Sequence, residues 1–161
     1  MLFVRSEWNS EARYKEVEYA NREDVENARI GDTRFEQFMN GLVEKVSLVE
    51  RDIAKKRGSL NLFALFERED LHDRWDLVIS ASWARMDKAT LGYVVDTIKR
   101  HLAPADMTRL ARIVVLPADE DPVRSINKRY DVEHGEVELN HPARFGLPVR
   151  YGYIITSRAA A

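Results

Sequence analysis

The run Leu110-Ala111-Arg112-Ile113-Val114-Val115-Leu116 offers water almost no polar edge. A half-exposed strand alternates apolar and polar residues, so a nearly continuous apolar strand has to be covered on both faces. A second such run extends from Trp75 to Ala81. Between them Leu91, Val94, Val95, Ile98 and Leu102 share one helical face, behind a cap at Asp87 and ahead of a stop before Pro104. Strand, helix and strand in this order predict a right-handed parallel crossover from Trp75 to Leu116.

Upstream, Thr33-Arg34-Phe35-Glu36 has the form of a capping box, in which both side chains satisfy free amides at a helix start. Phe35, Phe38, Met39, Leu42, Val43, Val46, Val49 and Ile53 follow at three- and four-residue spacing, one apolar stripe along a helix of about six turns. Lys55, Lys56 and Arg57 suit the negative end of its dipole, and Gly58 is a fitting stop.

Leu60 to Phe66 reads as a strand antiparallel to Trp75–Ala81 across a polar connection, Glu67 to Arg74. Asp121-Pro122 opens a short helix to about Tyr130, with Asp121 as the cap. Glu136 to Leu139 and Val149 to Thr156 are two further strands. The expectation is an α+β fold: a mixed sheet of about five strands, a long N-terminal amphipathic helix packed on it, and a βαβ crossover. Residues 1–31, charged and weakly patterned, are assigned to an arm or peripheral helix, and residues 32–158 to a single domain.

The 161 residues carry a formal charge of −2, so no global basic field attracts polyphosphate. Cysteine is absent, which removes disulfides, thiolate metal sites and cysteine nucleophiles. Met1 to Trp8 is too briefly apolar for a signal peptide, and no apolar run spans a bilayer, so a soluble cytoplasmic location is expected. The stretches Asn61 to Asp70, Trp75 to Ala81, Val132 to Gly135 and Gly152 to Thr156 resemble a pattern in uncharacterised bacterial α+β proteins, over roughly residues 35 to 157. That resemblance implies no activity, cofactor or catalytic residue.

Two constellations carry candidate chemistry. Ser82, Trp83 and Arg85 follow the second strand, and Asp119 and Asp121 follow the strand predicted to lie beside it. Crevices at the carboxyl ends of parallel strands commonly take ligands, and here a hydroxyl, an aromatic wall, a cation and carboxylates would meet. His134, Glu136, Glu138 and Asn140 alternate, so a strand would point them to one side, where imidazole and carboxylates suit a metal, with His141 as a further ligand. The same alternation also arises on any solvated edge strand, with Val137 and Leu139 turned inward.

Other motifs lead to simpler readings. No glycine-flanked elbow surrounds Ser80 or Ser82, as a serine hydrolase needs. Asp76 lacks the neighbouring Glu-x-Lys that a metal-dependent nuclease would use. Arg124, Lys128, Arg129 and Tyr130 make a small basic face that Asp131 and Glu133 dilute, so nucleic acid is disfavoured. By elimination the expected function is a binding or regulatory domain acting through a protein partner or as a homo-oligomer. A metal-dependent hydrolase or nuclease is the alternative, and a nucleic-acid-binding module the next. The sequence leaves open whether any reaction is catalysed and assigns no cofactor.

Overall fold

A computed structural model describes residues 3–5, 33–70, 73–139 and 149–160. It is an α+β fold with a mixed sheet and, among the described residues, four helices. In chain order these are β1 (Phe3–Arg5), α1 (Thr33–Arg57), β2 (Leu62–Arg68), β3 (Trp75–Ser80), α2 (Lys88–His101), α3 (Pro104–Met107), β4 (Leu110–Val115), α4 (Asp121–Arg129), β5 (Val137–Leu139) and β6 (Val149–Ser157). Five strands form the body of the sheet, and the three-residue β1 extends it to six, in the order β1-β4-β3-β2-β6-β5. Within the segment read as an arm or peripheral helix, residues 3–5 are thus a strand parallel to β4. Residues 6–32, and with them most of the segment read as an arm or peripheral helix, lie outside the described residues.

β3 and β4 run parallel, as the crossover requires, and β2 pairs antiparallel with both β3 and β6. All six residues of β4 are buried. The strand nevertheless lies one position in from the edge, because β2 and β3 hold the centre.

Strand alternation divides the interior into two clusters. Phe63, Leu65, Leu77, Ile79, Ile113 and Val115 join Leu42, Val46 and Ile53 of α1 and Val94 and Ile98 of α2. Leu62, Ala64, Phe66, Val78 and Val114 face the other way, onto Val123 and Ile126 of α4. The helices therefore cover both faces of the sheet.

Charge pairs fasten α1 to its helical neighbours. Lys45 Nζ lies 2.6 Å from Asp106 Oδ2. Asp52 meets Lys56 at 2.9 Å, His101 at 3.1 Å and Arg100 at 3.4 Å. Lys56 first, and then the His101 ring, hold the Asp52 carboxyl well below the usual carboxylate range.

Two local expectations change. Glu67 and Arg68, read as part of a connection, are buried residues of β2, because pairing with β3 and β6 on both sides carries the strand further. Arg68 then forms a two-pronged contact with Asp70, at 2.9 and 2.7 Å. The N-cap of α4 is Glu120 rather than Asp121. Asp121 is the first helical residue and accepts from Arg124 Nη2 at 2.7 Å. Asp87 does cap α2, accepting the Thr90 amide at 2.8 Å, and that bond lowers its pKa.

Candidate functional site

Polar groups of α1, β6 and the turn before β5 converge at one place, and it is not the crevice that the sequence suggests. Glu50 falls on the buried side of α1, four residues after Val46 and three before Ile53, and is fully enclosed. A carboxylate in such a position must find hydrogen-bond partners. Its Oε1 accepts from Thr156 Oγ1 at 2.9 Å, and its Oε2 lies 2.6 Å from His134 Nδ1.

Both partners are aimed by backbone irregularities. Phe63 pairs with Thr156, but Ala64 pairs with Ile154, so Ile155 is an extra residue that bulges out of register. Simple alternation would put Thr156 on the same side as Ile154, towards α4. The bulge turns Thr156 towards α1 instead, and turns Ser157 to accept from Asn127 of α4 at 2.9 Å.

His134 has φ 53, in the left-handed region that costs a non-glycine residue about 1–2 kcal/mol. The turn holds this conformation through a bridge between Val132 and Ser157 and a bond from the Gly135 amide to the Ile155 carbonyl at 2.9 Å. The His134 amide donates to Thr156 Oγ1 at 3.1 Å, and Arg51 Nη2 donates to the His134 carbonyl at 3.3 Å. Gly135 cannot be replaced freely, since a Cβ there would meet Val132 Cγ2 at 2.5 Å.

The chemistry follows from the hydrogen bonds. With Glu50 ionised its carboxylate only accepts, so Nδ1 of His134 then carries the proton and, in the neutral ring, Nε2 keeps its lone pair. The His134 side chain is 37% exposed, and its Nε2 lies 3.6 Å from Glu133 Oε1. The other oxygen of Glu133 accepts from Arg158 Nη1 at 2.7 Å. An imidazole fixed from behind by a buried carboxylate can take a proton or bind a metal at its outer nitrogen. The Thr156 hydroxyl donates to Glu50 and so is not directed at Nε2 as a nucleophile.

Of the elements expected to line the crevice, Trp83 and the helix that carries Asp121 pack on different faces of the sheet. Trp83 packs on the cluster under α1 and α2, edge-on to Tyr93 at 6.4 Å between ring centroids. Arg57 lies over those rings, 4.2 Å from the Tyr93 centroid and 5.9 Å from that of Trp83. α4, which carries Asp121, packs on the opposite face of the sheet. Ser82, Arg85, Asp119 and Asp121 are exposed, and Asp121 pairs within its own helix. Asp76, considered for a nuclease, is buried against Arg112 at 2.6 Å.

The alternating metal face also changes. β5 begins only at Val137, so Glu136 lies just before it and His134 sits earlier, in a left-handed turn; neither shares a strand's alternation with Glu138. Within the strand Glu138 is exposed and Leu139 buried, as alternation requires. Asn140 and His141 lie outside the described residues. Among the described residues, no group of three or more His, Asp or Glu side chains is arranged to hold a metal ion. No described helix is long and apolar enough to cross a membrane.

The sequence did carry a signal for Glu50, a lone carboxylate on the buried stripe of α1. It carried none for Thr156, whose direction depends on the bulge. No protein-family model, curated protein or solved structure matches the chain.

Proposed function

We propose that this chain is a binding or regulatory domain that works by engaging a protein partner. The observation that carries this reading is Leu48, the exposed large hydrophobic residue among those described, at 49%. It stands on the outer side of α1 with exposed Glu44 and Arg51 beside it. An apolar anchor within a charged rim is the usual anatomy of a protein contact.

A photo-crosslinker placed at position 48, with the protein expressed in its host cell, tests the proposal. The expected product is one adduct of defined mass, lost when Glu44 and Arg51 exchange their charges. A homodimer adduct, or none, would sink it. The hydrolase alternative has a single observation in its favour, the oriented imidazole of His134.

A further inference from the structure

We infer that His134 and Glu133 form a two-donor site for a divalent transition metal of zinc type, with Glu50 as its buried support. This inference does not rest on the partner reading: its donors lie in the turn before β5, and the one residue the two share is Arg51, which donates to the His134 carbonyl. It departs from a metal face built on Glu136 and Glu138, because Glu133 is the carboxylate that the structure places beside the histidine.

Three features point to a metal. First, the bond from Nδ1 to an ionised Glu50 at 2.6 Å leaves the lone pair of the neutral ring on Nε2, the nitrogen that Glu50 does not engage. Metal-bound histidines almost always donate their other ring N–H to a carboxylate or carbonyl, which fixes the ring and raises its basicity. Here that partner is fully buried and is itself held by Thr156 at 2.9 Å.

Second, Nε2 and Glu133 Oε1 are 3.6 Å apart. Two donors about 2.0 Å from one tetrahedral ion sit roughly 3.3 Å from each other, so a small side-chain rotation closes the site. Third, the left-handed conformation at His134, φ 53, is maintained by bonds from Arg51 and to Thr156. Such preorganisation keeps the donor in place before the ion arrives.

The surrounding charges fit a moderate site rather than a closed structural one. Arg158 engages the far oxygen of Glu133, leaving Oε1 as the donor, and Arg51 spends its contact on a backbone carbonyl. Two protein donors leave the other positions to water or to the oxygens of an anionic ligand. Imidazole in the pair favours zinc, nickel or copper over magnesium and calcium, which demand oxygen.

Titration calorimetry of the full chain with zinc chloride, beside magnesium chloride, tests this assignment. The expected result is saturable one-to-one zinc binding, with no magnesium binding. Glu133→Gln, a surface change that spares the fold, should weaken it at least tenfold, and His134→Ala should abolish it. Glu50→Gln should weaken it by roughly 10- to 100-fold in whatever fraction stays folded. The assignment is overturned by the absence of saturable zinc binding, or by undiminished binding in His134→Ala. Loss of binding in Glu136→Gln or Glu138→Gln with none in Glu133→Gln would equally remove it.

Discussion

Arg112 Nη2 meets Asp76 Oδ2 at 2.6 Å between neighbouring parallel strands, and both side chains are almost wholly enclosed. The pair belongs to a row that crosses the sheet: Gly152, Phe66, Asp76 and Arg112 stand in register on β6, β2, β3 and β4. Removing one partner of such a pair leaves a buried charge, at a cost of about 3–5 kcal/mol. Arg112→Met should therefore lower the unfolding free energy by that order in urea titration. The double variant with Asp76→Leu should lose less than the two single losses added together. Simple additivity would show that the two side chains are not coupled.

Val115, 4% exposed on β4, faces the cluster beneath α1 and α2. Val115→Asp places an unpaired charge there, a penalty of several kcal/mol that approaches the total stability of a domain. The expected outcome is loss of cooperative melting in circular dichroism. A folded variant with unchanged melting would contradict the packing of β4.

Gly135→Ala drives a Cβ to 2.5 Å from Val132 Cγ2, and a branched side chain has little room to yield. Overpacking of this kind costs about 1–3 kcal/mol. Adding Val132→Ala removes the obstructing methyl and should restore part of the loss. Chemical denaturation of the single and double variants gives both numbers, and no recovery in the double variant would place the strain elsewhere.

Asp52 has a pKa lowered by Lys56 and then by His101. A lowered folded value gives stability that is present above the unfolded value of about 3.9 and lost as pH falls through the folded value. Asp52→Asn should thus melt below wild type at neutral pH, with the two curves converging in strong acid. Because the carboxyl is near the surface, salt should shrink the difference at neutral pH. A gap that persists unchanged into strong acid would rule out this electrostatic origin.

Periodicity was a good guide wherever packing alone sets the structure. The Leu110 run is buried along its length, β3 and β4 are parallel, and Asp87 caps α2. It failed where one residue breaks a period. The extra Ile155 reverses the direction of Thr156, and the left-handed turn takes His134 out of the strand that alternation implied. For the candidate crevice, strand order says which loops are adjacent, but not which face of the sheet each following segment covers. Trp83 and α4 went to opposite faces.

The contacts of Glu50 join parts of the chain that are far apart in sequence, 84 residues from His134 and 106 from Thr156. Closing loops of that length is entropically costly before any bond compensates, so these bonds are expected to form late in folding, after local helices and hairpins. Interactions absent from the folding transition state act almost entirely on the unfolding rate. The network around Glu50 is therefore expected to govern how long the native protein persists more than how quickly it is reached.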